Sequence, residues 1–355
     1  MRSLIAIFIL TLAALPVRAE TPVEAILAKT ADGYVRPSYA ALKTATDIFA
    51  ASAKMLCETP NSTGLTAAQI AFKDTALAWS KVEWFRTGPV MRENRIERMF
   101  YFPDRKGLGL KQIQAALSAE DKSAASAETL ANKSVAMQGL GASEFLLFGT
   151  GSETLATKQI GYRCTYVLAS ANTMAKIAEE LETGWSDKSD ASVFWQKPAV
   201  NNPFFRTNAE ALNLMIGTLV HGLDAIRDMR LGNFIGKTPD ADKPKMAAFW
   251  RSEITFASIA ANLEGLQSFY ETSQIQSVLP KGNDGLLRTI AFDFAQAIKA
   301  AKSLDQPAAN VVADPDLRKK AAYLQLTVQT LIDHFNTEFA VAAGLDTGFS
   351  FGDGD

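Results

Sequence analysis

Residues 37–57 read PSYAALKTATDIFAASAKMLC, and the recurrence of apolar side chains in this stretch decides the fold class. Tyr39, Leu42, Thr46, Phe49, Ala53 and Leu56 fall at steps of three and four. That period places them on one stripe of an α-helix, which must be buried against neighbouring elements. A helix is therefore predicted from after Pro37 to about Cys57. Outward from it the same reading continues. Pro60-Asn61-Ser62-Thr63-Gly64 breaks the chain, and Thr66 with Gln69 three residues later has the spacing of a capping box. The segment it opens carries Ile70, Leu77, Val82 and Phe85 and stops at Gly88-Pro89. Further long helices are predicted from about Ala124 to Phe148 and from about Tyr162 to Leu181. No stretch alternates with period two in Val, Ile and Thr, so the chain is expected to be all-α, without a sheet.

Residues 184–206 differ in composition, with Gly, Ser, Asp, Lys and two prolines gathered around Trp185 and Trp195 before helical pattern resumes near Thr207. A connection of that length is long for a compact bundle, so it is read as joining an amino-terminal bundle, residues 20–183, to a carboxy-terminal bundle and tail, residues 207–355. The halves echo one another. Val82-Glu83-x-x-Arg86 is matched by Leu223-Asp224-x-x-Arg227, Gly139-Leu140 by Gly265-Leu266, and Arg163 by Arg288. The glycine and arginine pairs lie 126 and 125 residues apart, and this similar spacing through the later part of each half suggests an internal duplication, two tandem four-helix bundles in which charged side chains project inward to build a site.

Composition removes several functional classes. The 355 residues include 36 Lys+Arg against 38 Asp+Glu, two His and two Cys. A near-neutral chain without a basic run offers no field for nucleic acid. Two histidines cannot complete a three-histidine zinc site, and the chain lacks H-E-x-x-H, paired C-x-x-C and a phosphate-binding G-x-x-x-x-G-K-[ST]. Residues 1–19 read as a secretory signal peptide: Arg2, an apolar stretch from Leu4 to Leu15, and Val17-Arg18-Ala19 at the cut. That stretch is shorter than the roughly 20 residues a membrane span requires, so the product is expected to be soluble in the periplasm or cell envelope, without a transmembrane segment. Export makes Cys57 and Cys164 candidates for one disulfide, the alternative being two buried thiols.

Two stretches concentrate unusual chemistry. Residues 82–113, VEWFRTGPVMRENRIERMFYFPDRKGLGLKQI, mix aromatics with charges. Most of those charges suit a solvated surface, but Glu83 and Arg86 lie three apart among apolar positions and are candidates for an inward ion pair or ligand set. Asp104 and, from the second half, Asp224 and Arg227 are further ligand-site candidates. The second stretch is GLGASEFLLFG, residues 139–149. Glu144 is flanked there by Phe145, Leu146 and Leu147, and burying it is costly unless it is protonated, paired or metal-bound. His334 with Glu338 and His221 with Asp224 each supply only two donors, and Asp346, Asp353 and Asp355 in the tail fit no EF-hand spacing.

These blocks, with LVHGLDAIRDMRLG at 219–232 and GLDTGFSFGDGD at 344–355, resemble the imelysin-like family of periplasmic or outer-surface proteins linked to iron acquisition. The resemblance implies two four-helix bundles and a G-x-H-x-x-E motif whose His and Glu are the supposed metal ligands. Here Gly139 and Glu144 match the motif, and Gly141 stands where the His should be. The expectation is a non-catalytic binding protein that takes iron, another divalent metal ion or an envelope partner of iron uptake, with Glu83 and Glu144 as metal ligands around a common cleft. The alternatives are a metallopeptidase with a site rebuilt from carboxylates or His221, and an interaction scaffold in the envelope.

Overall fold

The computed structural model describes residues 22–157 and 161–345, so the leader and the terminal aspartates Asp346, Asp353 and Asp355 lie outside the described residues. Those described are mostly helical, with no strand among them. Eight helices carry the architecture: α1 (Arg36–Glu58), α2 (Ser62–Val82), α3 (Gly139–Phe148), α4 (Tyr162–Gly184), α5 (Asn208–Asp224), α6 (Thr255–Ser273), α7 (Asp284–Lys302) and α8 (Pro315–Asp333). The first four close into a ring, with α1 on α2, α2 on α3, α3 on α4 and α4 on α1, and α5 to α8 pair in the same cyclic order. Helices α2 and α6 join the groups.

Helix α1 forms for the reason its sequence gives. Its buried residues are Tyr39, Leu42, Thr46, Phe49, Ala53 and Leu56, the six of the stripe. Helix α2 begins earlier than the capping-box spacing suggested: Asn61 is the N-cap, accepting from the Gly64 N–H, while Gln69 Nε2 donates instead to the Leu147 carbonyl at 2.8 Å. Residues 124–148 are not one helix. Ser126 and Ser134 each cap a short turn, and Gly139, at φ +65°, starts α3. Residues 184–206 are packed, with Trp185, Trp195 and Phe205 buried and the Trp195 indole donating to the Leu27 carbonyl at 3.0 Å.

Cys57 and Cys164 form a disulfide between α1 and α4 across 107 residues. Where α2 crosses α6, Gly265 is required, because a Cβ there would lie 2.0 Å from the Lys81 carbonyl oxygen. No described helix is long and apolar enough to cross a membrane.

Candidate functional site

Glu144 lies on α3, which begins where Gly139 meets the chain at Arg98 and Met99 so closely that a Cβ would fall 2.2 Å from the Met99 carbonyl oxygen. The carboxylate is 6% exposed. Its Oε1 accepts from the backbone N–H groups of Arg251 (3.1 Å) and Ser252 (3.0 Å) and from the Ser252 hydroxyl (2.8 Å). These donors sit in the loop that leads into α6, so Glu144 ties the first helical group to the second. Burial pushes its pKa up, opposed by the Ser252 and Arg251 hydrogen bonds and the Arg251 charge. Among the described residues Oε2 has no hydrogen-bond donor, and Glu144 lines a cavity of about 220 Å³. The walls include Phe100, Phe102, Phe145 and Phe249, and Arg251 closes one side with its guanidinium 4.3 Å from the Trp250 ring centroid. Gly141 lines the same cavity, and a Cβ added there would meet nothing within 4 Å.

Glu83 is the C-cap of α2. The helix stops at Val82, so the three-residue spacing to Arg86 does not bring those side chains together, and Arg86 is exposed. Glu83 instead binds Arg230 and accepts from Asn262 Nδ2 at 2.7 Å. The Arg230 guanidinium lies 4.9–5.8 Å from the centroids of Phe102, Phe100 and Phe249, a cation–π setting that compensates its removal from water. This is a second tie between groups, from α2 to the segment after α5 and to α6. Glu83, Arg86 and His221 line a second cavity of about 190 Å³. Burial holds the His221 pKa below its ordinary value, with Asp224 opposing and Arg86 reinforcing the shift.

The two acids therefore face different cavities, with Phe100, Tyr101 and Phe102 lining both. This corrects the expectation of a common metal cleft. Glu83 is held by Arg230 and Asn262, and Oε1 of Glu144 is filled by N–H and O–H donors. Among the described residues no group of three or more His, Cys, Asp or Glu side chains could hold a metal ion. The donor set does not fit a resident metal of the three-ligand kind.

The other candidates separate. Asp104 lines the first cavity, but its oxygens accept from the N–H groups of Leu108 (2.7 Å) and Gly109 (2.9 Å), capping the helix Leu108–Ala119. Asp224 pairs with Arg227 at 3.0 Å, and Arg227 also reaches Asp228 and Gln329, so this pair braces α5 against α8 and lines neither cavity. Burial raises the Asp224 pKa. His334 contacts Glu338 at 2.7 Å and Asp293 at 3.2 Å. Arg230, Asn262, Arg251 and Ser252, which hold the two acids, are not among the candidates read from the sequence. Arg230 was within reach, as an arginine in a mostly apolar stretch; Asn262 and Ser252 carry no local signal.

The family model described as Imelysin (Peptidase M75) matches residues 35–334. The chain belongs to the imelysin family. Two solved structures share the imelysin-like fold. One, an imelysin-like protein from Psychrobacter arcticum 273-4, superposes with a TM-score of 0.75 at 17% identity, covering 93% of this chain and 98% of its own. The other, a putative iron-regulated protein A precursor from Parabacteroides distasonis ATCC 8503, has a TM-score of 0.73 at 15% identity, covering 92% and 97%. A search of curated protein sequences found no match. The imelysin fold is thus common to all three, and the iron-regulated designation belongs to the Parabacteroides protein.

Proposed function

We propose that this imelysin-family chain is an exported, non-catalytic binding protein of the cell envelope that serves iron acquisition, with its cargo seated in the cavity beside Glu144. The observation that carries this reading is a buried carboxylate whose Oε2 has no donor among the described residues, at an aromatic-walled cavity with open space at Gly141. A buried acid presented to a cavity selects ligands through one strong hydrogen bond, and the rings supply apolar contact. One such acid with no second donor cluster cannot strip the shell from a bare ion, so an iron cargo must bring its own ligands. Hydrolysis is disfavoured because Gly141 contributes no metal donor and Glu144 is half consumed by structural bonds. The Cys57–Cys164 disulfide suits an oxidising compartment, which supports export with cleavage near Ala19. The division into bundles at 20–183 and 207–355, joined by 184–206, and their origin by duplication belong to the same proposal. The echoed glycines Gly139 and Gly265 support it, each lying where a Cβ would strike a carbonyl oxygen.

Isothermal titration of the purified protein with ferrous ion, ferric ion and ferric citrate tests the reading. Saturable binding of the chelate, weakened by Glu144→Gln and not matched by the bare ions, is the expected outcome. Binding of bare ions that is unchanged in Glu144→Gln would overturn it.

A further inference from the structure

The second cavity has an excess of unfilled hydrogen-bond donors. Among the described residues Arg230 Nη1, Trp79 Nε1 and Trp84 Nε1 are buried without a partner, against the acceptor Asn262 Oδ1, and all four residues line this cavity. Buried donors left unpaired are costly, and a site that strands several of them is one a ligand's acceptors complete. The Arg230 side chain is only 6% exposed, and Glu83 engages its Nη2, leaving Nη1 free.

Charge at the same cavity narrows the ligand. Arg86 lines it and makes no ion pair among the described residues, while Glu83 is already taken by Arg230 and Asn262. Glu97 is the opposing carboxylate, also without an ion pair among the described residues, and it disfavours a second negative charge on a bound molecule. The remaining wall is apolar, including Ile96, Ile226 and Met229. At about 190 Å³ the space is below the range of roughly 300–1,000 Å³ for drug-sized ligands.

We propose that the cavity beside Glu83 is a binding site for a small organic monocarboxylate with an apolar body, separate from the cavity beside Glu144. The carboxylate accepts from the guanidinium and indole donors, and the hydrocarbon part covers the apolar wall. Because the two cavities have different acids and different cations, this site stands or falls independently of the Glu144 reading.

The test is calorimetric titration of the purified protein with 3-phenylpropionate and isovalerate, alongside 3-phenylpropionamide and succinate. The acids are expected to bind saturably, and the amide and the dicarboxylate much more weakly. Arg86→Gln, at an exposed position that leaves the fold intact, weakens the acids about tenfold, as loss of one charge-assisted bond requires. Trp84→Phe keeps an aromatic ring, though a smaller one, removes the indole donor and weakens them too. Gly141→Trp, which fills the other cavity, leaves them unchanged. Absence of saturable binding by both acids at millimolar concentration, equal binding of the amide, insensitivity to both Arg86→Gln and Trp84→Phe, or loss of binding in Gly141→Trp would each overturn the proposal.

Discussion

Replacing Glu144 by Ala strands the donors that now converge on its Oε1. The Ser252 hydroxyl retains the Phe249 carbonyl at 3.2 Å as an alternative acceptor, but the backbone N–H groups of Arg251 and Ser252 lose their partner. Each buried donor left unsatisfied costs about 1–3 kcal/mol. Water reaching through the adjoining cavity recovers part of that, so Glu144→Ala should destabilise by about 3 kcal/mol. In Glu144→Gln the amide oxygen occupies the place of Oε1 and accepts the same bonds without a buried charge, so the change should stay within about 1 kcal/mol. Urea unfolding followed by circular dichroism measures both, and in a thermal scan the Ala variant should melt about 4 °C lower. The pH dependence adds a second reading. Burial raises the folded pKa of Glu144 above its ordinary value of 4.5. Its contribution is therefore fully present below pH 4.5 and is lost as pH rises through the folded value. Glu144→Gln abolishes that slope. An Ala variant as stable as Gln, or a Gln variant that keeps the slope, would refute the bonding described here.

Four further outcomes follow from the packing. Arg230→Ala leaves Glu83 as a half-buried charge with Asn262 alone and should cost about 3–5 kcal/mol, read by the same unfolding curves. Gly265→Ala drives a methyl against the Lys81 carbonyl and should cost about 3 kcal/mol, whereas Gly141→Ala meets open space on a helix and should gain about 0.5–1 kcal/mol. The pair of substitutions Cys57→Ser and Cys164→Ser frees a 107-residue loop and should cost about 4 kcal/mol, a loss that dithiothreitol reproduces in the parent chain.

What the sequence made legible was local. The α1 stripe predicts its own buried face residue by residue, because a period of 3.6 is a property of the segment alone. Residues 124–148 read as one helix because their apolar content continues, but Ser126, Ser134 and Gly139 each reset the backbone, and a serine reads as a cap only when its turn is seen. Ile70 falls among the apolar positions of α2 but is 55% exposed; Ala68, Ala71, Phe72 and Trp79 face inward instead, two alanines where helices approach closely and two large rings that fill the core beside them. Glu144 was recognisable as a buried acid from its neighbours. Its partners were not, because Arg251 and Ser252 are brought to it by the packing of α6 on α2, over 100 residues away. Glu83 and Arg86 were paired by helical spacing that does not apply beyond the end of α2 at Val82.

Occluding the cavity beside Glu144 tests whether it receives the cargo. A Cβ at position 141 meets nothing within 4 Å and the position lines the cavity, so Gly141→Trp should direct its indole into that space and fold as the parent does. Calorimetric titration with ferric citrate and ferric acetohydroxamate is predicted to show saturable binding to the parent chain and none to Gly141→Trp. Equal binding to both proteins, or no binding of either chelate to the parent, would contradict the account.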